Sequence, residues 1–174
     1  MKKILIAYYS RKGNNYVGGS IIDLPVGNTE IAATKIQAIL GGDLFEIQTV
    51  QSYSKDYHAC TNEAKKELNG NFRPELSSQV EHMDDYDFVF LGFPNWWGTM
   101  PMCVVTFLES YNLKGKTILP FCTHEGGGMG GSERDIKEFC SESTITAGLP
   151  ILGGSIGQSD KAIKQWLHEV GMLN

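Results

Sequence analysis

No stretch of this sequence has the length of a membrane span: nothing approaches about 18 consecutive apolar residues. The one apolar run near the start, Ile4 to Tyr9, is about half the length of a signal-peptide core and is followed directly by Ser10-Arg11-Lys12. The expectation is a cytoplasmic protein with no membrane partner. Basic runs are missing too. Lys and Arg never extend beyond the pairs Lys2-Lys3, Arg11-Lys12 and Lys65-Lys66, and 15 basic against 20 acidic residues leave a net charge of −5, which argues against nucleic acid as a partner. Cysteine is sparse. Cys60, Cys103, Cys122 and Cys140 match neither a zinc spacing nor a dense disulfide framework, so they read as reduced thiols, with Cys103 and Cys122 in apolar company as core residues. His58 and Cys60 stand two apart on a predicted helix, where their side chains diverge, and no metal site is expected. Internal repeats, low-complexity tracts, the G-x-G-x-x-G fingerprint and the P-loop are also absent, which argues against a dinucleotide half-site or an NTPase.

What is there is a chain of 174 residues, 41% of them apolar, enough for one domain over 1–174 with a substantial core. Short apolar runs alternate with amphipathic stretches. Ile4 to Tyr9 reads as a strand buried on both faces, and Ile31, Ala32, Ile36, Ile39 and Leu40 follow helical spacing until Gly41-Gly42 stops them. Leu44 to Ile47 predicts a second strand and Tyr57 to Leu68 a polar helix, with Glu63 and Lys66 placed to pair at i, i+3. Asp87 to Gly92 and Thr117 to Cys122 are the third and fourth strands, with a helix over Met102 to Tyr111 between them. A helix marked by Ile136 and Phe139 begins near Ser132, Ile145 to Leu152 supplies a broken fifth strand, and Ile163, Trp166, Leu167 and Val170 put an apolar stripe on the last helix. Five strands, each followed by a helix, require crossovers on both faces of a parallel sheet: a doubly wound α/β architecture.

Such sheets bind ligands beyond the carboxyl ends of their strands, where the winding reverses. The loops after strands one, three and four hold the chain's three most unusual local sequences. After strand one, Ser10 and then Gly27-Asn28-Thr29 offer hydroxyls, an amide and free N–H groups at a helix start, which suits an anion; a plain helix cap is the bland alternative. Strand three runs into Pro94-Asn95-Trp96-Trp97-Gly98, where an indole face can stack on a flat aromatic ligand or tuck back as a hydrophobic plug. Strand four runs into Thr123-His124-Glu125-Gly126-Gly127, whose glycines let backbone approach a ring edge closely. Together these describe a pocket for a phosphorylated flat heterocycle.

The loops G-N-T, P-N-W-W-G-T and T-H-E-G resemble those of the flavodoxin-like family, and the resemblance covers nearly the whole chain. It implies a five-stranded parallel sheet of order 2-1-3-4-5 with helices on both faces and FMN as cofactor at the switch point, a placement taken over from the flavodoxins themselves. Carried onto this chain, Ser10, Gly27, Asn28 and Thr29 would hold the phosphate. Pro94, Asn95, Trp96, Trp97 and Gly98 would line the isoalloxazine, and Thr123, His124, Glu125, Gly126 and Gly127 would form the opposite wall. Two departures stand out: the segment 11–27 separates Ser10 from Gly27 and reads as a hairpin flap, and the charge is mild for a family often strongly acidic around the flavin edge. The resemblance implies an electron carrier that passes electrons to redox partner proteins in transient contacts, needing no catalytic side chain, with Glu125 lowering the second reduction potential. The alternative is an NAD(P)H-dependent reductase of a quinone or other small acceptor, with Tyr16, Trp97 or His124 as walls and His124 as a proton donor. A phosphoacceptor domain of the same topology is disfavoured, because Phe93-Pro94 and Tyr9-Ser10 stand where that class needs acidic residues.

Overall fold

Eight strands and five α-helices alternate along the chain in a computed structural model that describes residues 2–174. The central strand β1 (Ile4–Tyr8) lies between β4 (Asp43–Glu46) and β5 (Phe88–Pro94), and β6 (Thr117–His124) follows on the far side of β5, all parallel. Both β7 (Thr144–Ile145) and β8 (Leu149–Leu152) pair with β6 on its outer edge. They are the two halves of a single fifth strand, which completes the order 2-1-3-4-5. The break falls at Thr146–Gly148, where the Glu133 carboxylate accepts the Gly148 N–H at 2.5 Å, and Pro150 is tolerated in β8 because that half is an edge.

The sheet's alternation sorts the core into two layers. Ile6, Tyr8, Phe90, Leu119 and Phe121 face α1 (Asn28–Leu40) and α5 (Asp160–Glu169), which contribute Ala32, Ala33, Ile36, Ile163, Trp166 and Leu167. Leu5, Ala7, Tyr9, Val89, Leu91, Phe93 and Cys122 face the other way, onto α3 (Met102–Glu109) and the Ile136 turn of α4 (Ser132–Phe139). Helix α2 (Tyr57–Asn69) begins where the Asp56 carboxylate accepts the Ala59 N–H at 2.8 Å. At the far end of α1 the chain turns through Gly41 and Gly42, both at positive φ, as their sequence requires.

Two expectations are corrected. The Glu63–Lys66 pair does not form, because the Glu63 carboxylate turns back to accept the Ser54 N–H at 3.1 Å ahead of the helix. Val170 lies just past α5, although it still packs against the core. Phe139 ends α4 as its place beside Ile136 suggested, with its side chain exposed and the Arg73 guanidinium 5.6 Å from its ring centre. Strands β5 and β6 run two residues further than their apolar runs, because β5 pairs with β6 as far as Pro94 and β6 pairs with β8 as far as His124.

The segment between β1 and α1 forms a separate two-stranded hairpin, β2 (Gly13–Val17) and β3 (Ser20–Leu24), turned at Gly18-Gly19. Its ends meet. A Cβ on Gly27 would fall on the Ser10 hydroxyl and the Arg11 carbonyl, so the hairpin leaves and rejoins the body of the fold at one point.

Candidate functional site

The carboxyl ends of β1, β5 and β6 open onto a cleft of about 120 Å³, and a second space of about 340 Å³ adjoins it, sharing Arg11, Tyr57, Asn95 and Trp96. The start of α1 forms the floor of the cleft. Ser10 Oγ accepts the Glu30 N–H at 3.1 Å, and the Gly27 carbonyl takes that of Ile31. The amides of Asn28 and Thr29 are thereby left at the positive end of the helix, without a protein acceptor among the described residues. The Thr29 and Thr123 hydroxyls, both buried, share a hydrogen bond of 2.8 Å across the floor.

The two walls are laced together by one side chain. Asn95 donates from Nδ2 to the Gly128 carbonyl and accepts the Gly98 N–H on Oδ1, both at 2.9 Å, while its own N–H reaches the Thr123 carbonyl. Its amide is spent on loop geometry. Trp97 and Gly98, both at positive φ, make a tight turn closed by the Trp96 and Thr99 backbones. The two tryptophans part company there. Trp96 stands edge-on to Tyr9 and Tyr53, at 5.2 and 5.0 Å between ring centres, and is half-buried, so it is both plug and wall. Trp97 is half exposed, donates from Nε1 to the Thr61 carbonyl at 2.9 Å and lies under the Lys65 ammonium. On the β6 side the Gly126 N–H donates to His124 Nδ1 at 2.9 Å, which puts the proton of the neutral ring on Nε2.

The hairpin roofs the cleft with Asn15, Tyr16 and Leu24. Arg11 anchors its base: the guanidinium donates to the carbonyls of Asn14, Ser54 and Lys55, with no carboxylate in salt-bridge range among the described residues. That leaves a net positive charge on the adjoining space, whereas Glu125 offsets it in the cleft. Beneath Trp96, burial pushes the Cys60 thiol up to about 11 and the Tyr53 hydroxyl well above its ordinary value. Burial also raises Glu67, against the opposing hydrogen bond donated by Tyr53 at 2.7 Å. This layer stays uncharged near neutral pH at its thiols and phenols, and gives the cleft a low-dielectric underside.

Of the residues expected at the site, Asn28, Thr29, Pro94, Asn95, Trp96, Thr123, His124 and Glu125 line the cleft together. Trp97 lines only the adjoining space, and Ser10 faces a groove on the other side of the hairpin. Gly27, Gly98, Gly126 and Gly127 line neither space and shape the loops instead, Gly27 by admitting Ser10 and Gly127 by admitting the Asn95 amide. Sequence reasoning did not place Arg11, Asn15, Leu24, Tyr57 or Gly153 there. None belongs to a motif, and tertiary packing alone brings them in.

A doubly wound α/β protein with two free amides at the start of α1 and two laced loops at the switch point is thus defined. The chain belongs to the flavodoxin family, whose model matches residues 3–170. Among solved structures, a Bacteroides eggerthii DSM 20697 protein provisionally described as a flavoprotein is 32% identical, with each chain covered in full and a TM-score of 0.80. A second such protein, from Bacteroides uniformis ATCC 8492, is 26% identical over 96% of this chain and 98% of that one, with a TM-score of 0.75. The same fold appears in a flavoprotein in complex with FMN from Lactobacillus acidophilus NCFM, 20% identical over 91% and 98% of the two chains, with a TM-score of 0.65. No curated protein matches the chain. Among the described residues, no helix is long and apolar enough to cross a membrane.

Proposed function

We propose that this chain is an FMN-dependent electron carrier that exchanges electrons with protein partners through the loops around its cleft. The observation that carries the reading is the cleft's donor set at the switch point. The unpartnered Asn28 and Thr29 amides suit a terminal phosphate, and the backbone of Pro94 to Trp96 and Thr123 to Glu125 suits a polar ring edge. Gly27 supports it as well, since only a residue without a side chain lets Ser10 close against the start of α1. FMN is the family's cofactor, and when bound it supplies the redox chemistry. The chain's residues bind and orient it. Asn95 holds the two loops at a set separation, the Tyr9-Tyr53-Trp96 layer excludes water from below, and the exposed Trp97 with Lys65 offers partners a contact at the mouth. Transient electron-transfer contacts of this kind are small.

The adjoining space of about 340 Å³, walled by Tyr57, Trp96 and Trp97, favours a second reading, an NAD(P)H-dependent reductase with room for a flat acceptor. There the His124 Nε2–H would donate a hydrogen bond to the acceptor. Anaerobic reductive titration of the FMN-loaded protein separates the two. Uptake in two resolved one-electron steps, with no saturable NADH or NADPH oxidation in the presence of a quinone, supports the carrier. A single two-electron step with saturable turnover supports the reductase. An apoprotein that takes up no FMN overturns both.

A further inference from the structure

The β2–β3 hairpin is joined to neither edge of the main sheet, and all of β3 except Leu24 is exposed. A lone two-stranded hairpin is marginal in water, so its position depends on what ties it down. Those ties are unevenly placed. At the base, the Arg11 guanidinium spans Ser54 and Lys55, Asn14 Oδ1 accepts the Tyr57 N–H at 2.8 Å, and the rings of Tyr16 and Tyr57 stack at 6.2 Å. At the tip, among the described residues, there is one hydrogen bond, from the Gly18 N–H to Glu125 Oε2 at 3.0 Å, made across the cleft to the loop after β6. Glycines at positive φ flank both ends of β2, at Gly13 and at Gly18-Gly19.

We propose that the hairpin is a hinged roof over the cofactor cleft, fixed at the Arg11 and Tyr57 end and latched at its tip by Glu125, which lifts to admit the flavin and controls how fast it exchanges. This rests on the reading that the cleft takes FMN. The hairpin roofs the cleft with Asn15, Tyr16 and Leu24, and among the described residues the one polar tie opposite the anchored end is the Glu125 carboxylate. Breaking that tie lowers the cost of lifting for entry and exit alike, so both rates change together while affinity changes little. The role differs from that of a residue acting on the ring, whose loss would change dissociation alone.

Two variants test it. Glu125→Ala removes the acceptor, and Glu125→Gln keeps a neutral acceptor for Gly18. Stopped-flow quenching of FMN fluorescence by the apoprotein gives association, and displacement gives dissociation. Amide hydrogen exchange of Gly18 in the apoprotein reads the latch with no cofactor present. Expected are association and dissociation both about tenfold faster in Glu125→Ala, with Kd changed less than threefold, faster exchange at Gly18, and Glu125→Gln between this and the parent. Unchanged rates and unchanged Gly18 exchange overturn the roof, even if FMN binds. An apoprotein that binds no FMN overturns the roof's function along with the reading it rests on, and the Gly18 exchange then still reports whether the latch exists.

Discussion

At the scale of single residues, the cleft depends on groups whose tolerance for change is narrow. Gly27→Ala puts a methyl group onto the Ser10 hydroxyl and the Arg11 carbonyl, so it is expected to cost about 1–3 kcal/mol in chemical denaturation of the apoprotein and to weaken FMN binding. Thr29→Val strips the Thr123 hydroxyl of its partner in a buried place and should cost about 1–3 kcal/mol. The double variant with Thr123→Val should cost less than the sum of the two singles, which a double-mutant cycle measures directly. Glu125→Gln removes a negative charge from the rim of the cleft while keeping the acceptor for Gly18. The second reduction potential of bound FMN is expected to rise by roughly 20–40 mV, equivalent to about 0.5–1 kcal/mol for one electron, as read by spectroelectrochemistry. An unchanged potential would show that the carboxylate acts only on the hairpin.

At the scale of elements, the site depends on how helices begin. Helix α1 starts at a glycine with no side-chain cap of its own and borrows the Ser10 hydroxyl from the end of β1, which leaves two amides at its tip for a ligand. Helix α2 is capped conventionally by Asp56, and Asp56→Ala is expected to cost about 1 kcal/mol in urea denaturation. The same change should loosen Tyr57, the residue on which the hairpin's ring stacks, and so raise hydrogen exchange in β2.

Over the whole molecule, burial sets the titration behaviour. Burial pushes Cys60 and Cys140 up to about 11 and Cys122 to about 12, from an ordinary 9.0. Tyr8 and Tyr86 rise to about 12 from 10.0 for the same primary reason. From about pH 9 upward the unfolded chain therefore releases protons that the native protein retains, and stability falls as pH rises, first through the window from about 9 to 11. Thermal melts under reductant should show Tm dropping steadily between pH 8.5 and about 11, and a flat profile would contradict it. All four cysteines are free and buried, so alkylating reagents should modify the native protein at pH 8 only at the rate of unfolding.

The sequence by itself determined the periodic elements and the loops that carry motifs. Ile4 to Tyr8, buried on both faces, allows only an inner strand. The hairpin was legible as a flap in the segment between Ser10 and Gly27, and Gly27-Asn28-Thr29 as the start of a helix, because local chemistry decides such features. The tertiary structure alone decided what meets in the cleft. Ser10 and Gly27 stand 17 positions apart, with a hairpin between them, and still touch. Arg11 is an ordinary charged residue until packing sets it against the Ser54 and Lys55 carbonyls, and Glu125 accepts the N–H of Gly18, in a hairpin turn more than 100 positions away. Two adjacent tryptophans took opposite roles because a positive-φ turn at Trp97 sends one ring inward to Tyr9 and the other out to Thr61. These are contacts between segments distant in sequence. They follow from the closure of the sheet and the seating of its loops, which no local pattern encodes.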